Sequence, residues 1–219
     1  MDENPSLNLL SNVEIVPLNV LLILKNTPLE YWYRNYIGVN HPRGSLWGLW
    51  DLSDALRLAY VYNYGGAYMD TDVLSIRSIE HLQNNVLAYE TDTRLNGAVM
   101  KFQSKHPFIK EALQTFLKYF VAGEFGSVGP RMLSAVHESH KVDWSTYTTL
   151  ASNTFYPVSY GNTTAPFDPT MLEDVKRAVK DAYTLHLWHK LIKQYWLFDV
   201  DVPNGSFVSE FCFRNLKFD

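Results

Sequence analysis

Hydrophobic and polar positions follow different spacings along the chain, and each spacing predicts a different element. Between His106 and Phe120 the large apolar residues recur every three to four positions, which is typical of one face of an amphipathic helix. Short apolar runs without that period are typical of strands. We therefore predict strands at Val13–Leu18, Ala67–Asp70, Val86–Tyr89 and Ala98–Phe102.

Residues that begin and end helices mark further elements. The segment Thr27-Pro28-Leu29-Glu30 combines a capping threonine, a proline suited to the first turn and a glutamate that completes a capping box. The next helix is predicted from about Ser53 to Tyr64, where Gly65-Gly66 ends it. Pro130 and Pro169 each suit a first helical position. Strands and helices thus alternate, which predicts an α/β fold with a largely parallel sheet.

Strand-like alternation returns late in the chain, from Tyr183 to Trp188. Successive side chains of a strand point to opposite faces, so Leu185 and Leu187 should face the core while His186 faces the other way. Ligands of such α/β sheets bind beyond the carboxyl ends of the strands, and Asp70-Thr71-Asp72 follows such an end. The plain interpretation of His186 is a histidine that a backbone carbonyl satisfies.

Composition fits one folded domain and excludes some partners. The chain has 219 residues, 47% of them hydrophobic, and we interpret 1–219 as a single domain with a motif-bearing core at 12–190 and a C-terminal segment at 191–219. A net charge of −4 without a basic run argues against nucleic acid as a partner. The longest apolar stretch, Val16–Leu24, is shorter than the roughly 20 residues that a membrane-spanning helix needs.

Two Asp-x-Asp pairs occur, and their contexts differ. Asp70-Thr71-Asp72 directly follows an apolar run, whereas Asp199-Val200-Asp201 shows that such pairs also arise without that context. Carboxylates two residues apart fall on the same side of an extended chain and can face one cation. Hard divalent ions complete such a shell with water and substrate phosphate. The alternative interpretation is a solvated turn after a strand.

From about Asn12 to Lys190 the sequence resembles the α1,4-glycosyltransferase family. Six blocks occur in the family's order and cover most of the chain. The matching blocks are Leu52-Ser53-Asp54-Ala55-Leu56-Arg57 running through Tyr64-Gly65-Gly66-Ala67-Tyr68-Met69-Asp70-Thr71-Asp72, then Leu95-Asn96-Gly97-Ala98, Gly129-Pro130, Phe155-Tyr156-Pro157 and His186-Leu187-Trp188.

The resemblance implies a GT-A fold, a Rossmann-like α/β domain whose acidic motif binds manganese. Asp70 and Asp72 would be the catalytic pair: Asp72 would bind the metal directly, and Asp70 would bind the metal or the nucleotide ribose. His186 would be a further metal ligand, and a histidine ligand favours manganese over magnesium. Asp54 and Arg57 would contact the donor's sugar hydroxyls or diphosphate. Their spacing also allows a plain i, i+3 ion pair, which alone would stabilise the helix by only tenths of a kcal/mol.

Two further motifs are assigned by the same resemblance. Asn96 and Gly97 would contact the donor sugar, and Gly129 and Pro130 would begin a helix beside the acceptor cleft. Ser127-Val128 precede this motif where the family often carries a polar residue, so the acceptor itself is left open.

The implied reaction moves a hexosyl unit, galactose or N-acetylglucosamine, from a UDP-sugar to a glycan or glycolipid in α1,4 linkage, with retention of configuration. The family also implies the Golgi lumen, with a membrane anchor upstream. The chain starts near the family's third strand, so we expect an N-terminally truncated form. A relative that binds nucleotide or sugar without turnover is the alternative, and a non-catalytic interaction module is a third.

Overall fold

The computed structural model describes residues 13–37, 46–121, 124, 127–192 and 202–213. The helices are α1 (Val20–Leu24), α2 (Leu29–Trp32), α3 (Leu46–Tyr64), α4 (Pro107–Tyr119), α5 (Pro130–Glu138), α6 (Ser152–Phe155), α7 (Leu172–Val179) and α8 (Phe207–Phe213). The strands are β1 (Gly66–Met69), β2 (Val73–Ser75), β3 (Val86–Tyr89), β4 (Leu95–Phe102), β5 (Thr148–Leu150) and β6 (Thr184–His186). None of these helices has both the length and the apolar content to cross a bilayer.

The described strands form two sheets. One has four strands in the order β1-β4-β3-β5, and the other pairs β2 with β6. The α/β class with a mixed sheet is confirmed, but the sheet is not largely parallel. Of the four described strand pairs, only β3–β5 is parallel. The five-residue connection between β3 and β4 explains part of this, because a short loop joins antiparallel neighbours whereas parallel strands need a long crossover.

Strand β4 carries an irregularity that matters for the site. Leu87 is opposite Met100, yet the next residue of β3, Ala88, is opposite Asn96. Residues 97–99 of β4 therefore have no partner in β3 and bulge from this ladder. The hydroxyl of Tyr156 fills the gap: it donates to the Asn96 carbonyl (3.3 Å) and accepts from the Val99 N–H (3.1 Å).

The predicted strand at Val13–Leu18 is wrong. These residues have no strand pairing, and Ile15, Val16 and Leu18 are more than half exposed. Their apolar side chains suggested a strand, but no described strand lies beside them to complete a ladder. The Asn19 side chain instead accepts from the Leu22 N–H at 3.0 Å and begins α1.

The second helix begins near the predicted place without the predicted capping box. Thr27 Oγ1 accepts from the Leu29 N–H at 3.3 Å, but the Glu30 carboxylate pairs with Arg34 one turn later, at 3.0 Å, rather than reaching back. The ion pair at i, i+4 competes directly with the capping interaction.

The elements beside the site agree with the prediction except that α3 begins at Leu46, seven residues before the predicted start near Ser53. Helix α3 ends at Tyr64, and Gly65 follows with φ +73°, where an added Cβ would lie 2.7 Å from the Ser104 backbone nitrogen. Glycine is therefore required at this turn. Helix α4 matches the predicted amphipathic helix and packs its apolar stripe into a core with α3 and the sheet. Because the chain turns at Gly65, β1 returns beside α3, and Arg57 within the helix contacts Asp70 directly after the strand.

Candidate active site

A cavity of about 620 Å³ lies against the turn between β1 and β2. Its wall includes most of the residues that the sequence singled out, namely Asp54, Arg57, Asp70, Asp72, Asn96, Pro130 and His186. These residues come from α3, the acidic turn, β4, α5 and β6. The fold therefore brings together groups that are separated by more than 100 positions in sequence.

The two aspartates lie at the end of β1, as the pattern predicts. Met69 is the last residue of the strand, Asp70 follows, and Val73 begins β2. Strand β2 pairs with β6 in the register that sets Val73 opposite His186. This pairing is what delivers the late histidine to the acidic turn.

Asp72 is held by the last residue of β6 and by the backbone just after that strand. Its Oδ1 lies 3.3 Å from His186 Nε2, and its Oδ2 accepts from the His189 N–H at 2.9 Å. Burial acts to raise the pKa of this carboxyl, but the hydrogen bond and charge of His186 and the His189 N–H outweigh it and hold the pKa below its ordinary value. Asp72 therefore presents a full negative charge to the cavity.

Asp70 is held from the opposite side, by helix α3 and by its own strand. Both of its oxygens face the Arg57 guanidinium, at 3.1 and 3.3 Å, and the Tyr68 hydroxyl donates to Oδ1 at 2.6 Å. Burial of the Tyr68 hydroxyl and the Asp70 charge raise the pKa of Tyr68, so this hydroxyl stays a donor. The backbone N–H of Asp70 donates to the Ala98 carbonyl in the bulge of β4, at 2.8 Å.

Arg57 joins the two carboxylates of this side. It lies 3.2 Å from Asp54 Oδ1, one turn earlier in α3, and it also contacts Asp70. Burial raises the pKa of the Asp54 carboxyl, and the Arg57 charge offsets only part of that effect. The Arg57 Nε is buried without a hydrogen-bond partner in the described part of the chain. Asp54 and Arg57 lie on one face of α3, as their spacing predicts, and Arg57 also pairs with Asp70.

The residues present fit a divalent cation. Asp70, Asp72 and His186 each offer one ligand atom, and these atoms lie within 4.8 Å of one another. Two carboxylates and one imidazole form a mixed oxygen and nitrogen donor set, which manganese accepts more readily than magnesium does. The Nδ1 atom of His186 is buried and has no partner among the described residues. The ring is therefore not committed to the backbone carbonyl that the alternative interpretation required.

The remaining predicted residues lie in two places, the main cavity and a small void beside it. Asn96 and Pro130 line the cavity itself. Gly97 and Gly129 line a small void of about 20 Å³ that shares Asp54, Arg57 and Pro130 with the cavity. An added Cβ at Gly97 would lie 3.0 Å from the Met100 side chain, so this glycine allows close packing behind the wall. Their roles toward donor and acceptor stay predictions.

Sequence reasoning missed several residues of the wall. Four residues of the wall lie outside the six matching blocks and were not among the predicted site residues: Glu90, Arg94, Tyr160 and Lys190. Lys190 lies 3.1 Å from the centre of the Trp50 ring, and burial lowers its pKa to about 8 despite the nearby charges of Asp54 and Asp51. No sequence signal marked Glu90, because charged residues are common in the loop that follows a strand and its burial appears only in the folded structure.

Two family models match the chain. The alpha 1,4-glycosyltransferase conserved region matches residues 101–217, and the glycosyltransferase sugar-binding region containing the DXD motif matches residues 2–92. Together they include both the acidic motif and His186. The second model supports the interpretation of Asp70-Thr71-Asp72 as a functional motif rather than a solvated turn.

Individual relatives agree with these models. A lactosylceramide 4-alpha-galactosyltransferase of Pongo pygmaeus is 29% identical over 82% of this chain and 84% of its own length. The enzyme of that name from Rattus norvegicus is 30% identical over 85% of this chain, and an alpha-1,4-N-acetylglucosaminyltransferase of Homo sapiens is 31% identical over 84%. The chain spans about half the length of the last two, 54% and 55%.

A solved structure, the PaToxG glycosyltransferase, aligns over 56% of this chain with 21% identity and a TM-score of 0.42. The family models and the relatives share one class of transferase. A conserved-region model that covers more than half of the chain, together with the assembled acidic motif, identifies the chain as a member of the alpha 1,4-glycosyltransferase family.

Proposed function

We propose that this chain is a metal-dependent, retaining hexosyltransferase. It moves galactose or N-acetylglucosamine from a UDP-sugar to a hydroxyl of a glycan or glycolipid in α1,4 linkage. The observation that carries the proposal is the convergence of Asp70, Asp72 and His186 on one wall of a cavity large enough for a sugar nucleotide. The names of the relatives support the choice of sugars, and the family resemblance supports the Golgi lumen as the compartment.

The acidic turn provides the charge that anchors the donor. Asp72 is ionised at neutral pH, and His186 and the His189 N–H, which lower its pKa, also fix its two oxygens. Asp70, Asp72 and His186 would hold a divalent ion, preferably manganese. The chemistry that this ion supplies is Lewis-acid stabilisation of the negative charge that develops on the departing diphosphate.

The α3 side of the cavity supplies orientation. The Arg57 guanidinium is planar and always charged, and its contacts with Asp54 and Asp70 fix its plane. The guanidinium lines the cavity, so it is suited to hold donor oxygens in a single geometry. Orientation of this kind lowers the barrier because the leaving group and the acceptor hydroxyl are already aligned.

The test is release of UDP from UDP-galactose and UDP-N-acetylglucosamine, with and without manganese, by the purified chain. We expect manganese-dependent release with one of the two donors, and transfer when a lactose- or galactose-terminated acceptor is added. Asp72→Ala should abolish the release, whereas Asp92→Ala, which alters an exposed aspartate in the β3–β4 loop, should leave it unchanged. Manganese-linked binding of UDP without turnover of either donor would contradict the enzymatic proposal and favour the non-catalytic alternative.

A further inference from the structure

Glu90 is a buried carboxylate in the wall of the cavity. It follows β3 directly, in the short hairpin that leads to β4, and only 3% of its side chain is exposed. Hairpin loops normally carry charged residues into solvent. Here the Glu90 N–H donates to the Arg94 carbonyl at 2.7 Å, which closes the loop tightly. The Glu90 side chain thus lies beside the cavity instead of in solvent.

Two donors fix the orientation of this carboxylate. Arg94 Nε donates to Oε1, and Asn96 Nδ2 donates to Oε2 at 2.6 Å. The Asn96 amide cannot turn over, because its Oδ1 accepts from the Ala98 N–H at 2.7 Å. Asn96 is therefore occupied at both ends of its amide, and at most one of its N–H groups can reach a ligand.

The hairpin is also tied to the acidic motif. The bulge of β4 turns Asn96 towards Glu90, and the Tyr156 hydroxyl bridges the Asn96 carbonyl and the Val99 N–H. In the same bulge the Ala98 carbonyl accepts from the Asp70 N–H. Glu90 and Asp70 are consequently fixed in one framework, and both line the same cavity.

The chemistry of Glu90 selects its ligand. A carboxylate repels phosphate, so this part of the wall does not suit a diphosphate. Each oxygen of Glu90 has accepted one hydrogen bond and can accept another, which suits two hydroxyl groups. Arg94 stands beside it and lies 5.4 Å from the Tyr160 ring, so donors and an aromatic face surround the same space. Adjacent hydroxyls of a sugar ring match this arrangement.

Resting on the function proposed above, we infer that Glu90 accepts hydrogen bonds from hydroxyl groups of the hexosyl unit that is transferred, and that Asn96 is the positioning residue that aims it. Glu90 then helps to determine which sugar the cavity accepts. Asn96, which the family resemblance assigned to direct donor contact, acts chiefly through Glu90.

The experiment compares Glu90→Ala with Glu80→Ala, which alters an exposed glutamate outside the cavity wall. Calorimetry with manganese measures binding of UDP alone and of each UDP-sugar, and hydrolysis of the UDP-sugars is measured without acceptor. We expect Glu90→Ala to bind UDP as the unaltered protein does and to lose about 100-fold in kcat/KM for donor hydrolysis, because contacts to the sugar that strengthen in the transition state are gone. Glu80→Ala should match the unaltered protein.

Asn96→Ala and the double variant separate positioning from contact. If Asn96 acts through Glu90, the double variant should be no slower than Glu90→Ala alone, since two groups that act as one unit are not additive. Full additivity of the two losses would overturn the positioning role. Melting temperatures of all variants, measured without ligand, show whether a loss comes from unfolding.

The outcomes distinguish this inference from the proposed function. Unchanged donor hydrolysis in Glu90→Ala overturns the inference alone, as does a defect that appears only in the KM for the acceptor. Absence of manganese-linked UDP binding in the unaltered protein overturns the proposed function and the inference with it. Lost UDP binding in a folded Glu90→Ala variant would assign Glu90 to the nucleotide rather than to the sugar and is also contrary to the inference.

Discussion

The two sides of the acidic turn hold their aspartates in different ways. On the α3 side, Asp70 contacts a permanently charged guanidinium and a tyrosine hydroxyl, in a network that also includes Asp54. On the β6 side, Asp72 contacts an imidazole and one backbone N–H. Arginine cannot give up its proton, whereas a neutral imidazole nitrogen can bind a metal ion. We infer that Arg57 and Tyr68 on the α3 side form a fixed support, whose contacts with Asp70 persist when a cation binds. On the β6 side, the contact between Asp72 and His186 would be replaced by contacts to the cation.

The largest effect is expected from loss of the fixed support. Arg57→Met would leave the carboxylates of Asp54 and Asp70 unpaired in a partly buried site, which should lower the free energy of unfolding by about 3 kcal/mol. Chemical denaturation at neutral pH without metal measures it. Arg34→Met is the matched control, because the Arg34–Glu30 pair is exposed and should be worth less than about 1 kcal/mol. Equal losses in the two variants would show that Arg57 is not a structural support.

The next largest effect concerns His186, on the β6 side of the acidic turn. His186→Asn should reduce manganese affinity at least about tenfold, because a ligand nitrogen is lost, while the stability of the metal-free protein changes little. The manganese-induced rise in melting temperature, titrated over ion concentration, gives the affinity. His81→Asn, at an exposed histidine, serves as the control. A manganese response that survives intact in His186→Asn removes the histidine from the ligand set.

The third effect is a pH-dependent change in stability at Asp51, which lies one turn before Asp54 in α3. Burial, and then the charge of Asp54, raise the pKa of Asp51 from 3.8 to about 6, with Lys190 acting in the opposite direction. A raised pKa means that the charged carboxylate destabilises the folded state above pH 6 and that this penalty disappears as the pH falls towards 4. Asp51→Asn should therefore stabilise the protein by about 1–2 kcal/mol at pH 7.5 and by much less at pH 4.5.

Denaturation of Asp51→Asn and the unaltered protein at both pH values measures this difference. Asp92→Asn, at an exposed position, should show no such pH-dependent gain. A stabilisation of Asp51→Asn that is the same at pH 4.5 and 7.5 would mean that ionisation of Asp51 is not its cause.

The smallest effect sharpens the description of the fixed support. Tyr68→Phe removes the hydroxyl that donates to Asp70 and should cost about 1 kcal/mol of stability, since Arg57 still contacts both oxygens. Tyr64→Phe, at a tyrosine that is 54% exposed, should cost nothing measurable. A loss in Tyr68→Phe as large as that in Arg57→Met would make the hydroxyl, rather than the guanidinium, the main partner of Asp70.

Local patterns predicted those parts of the molecule that local chemistry decides. Helix α4 and strand β3 follow from apolar spacing alone, and the end of α3 follows from Gly65. The placement of His186 opposite the core residues Leu185 and Leu187 was also predictable, because alternation along one strand needs no partner. Val13–Leu18 shows the limit, since an apolar run becomes a strand only where another strand accepts its hydrogen bonds.

Contacts between distant segments were less accessible to sequence reasoning. Arg57 and Asp54 are neighbours on one helix, but the contact of Arg57 with Asp70 depends on how α3 packs against β1. Glu90 was missed because its burial depends on the bulge of β4, and that bulge contacts Tyr156, which lies 60 residues beyond Asn96 in the sequence. Resemblance to the family indicated which residues matter, whereas only the folded geometry indicates which of them act on one another.

The pairing of β2 with β6 has a consequence for biosynthesis. The Asp72 carboxylate and the His189 N–H that it binds are 117 positions apart. Closing so long a loop is slow, and synthesis proceeds from the N-terminus, so α1–α5 and β1–β4 can form before β6 has left the ribosome. Metal affinity should therefore arise only at the end of folding, and a nascent chain that stops before residue 184 should contain the acidic pair without the ability to retain the ion.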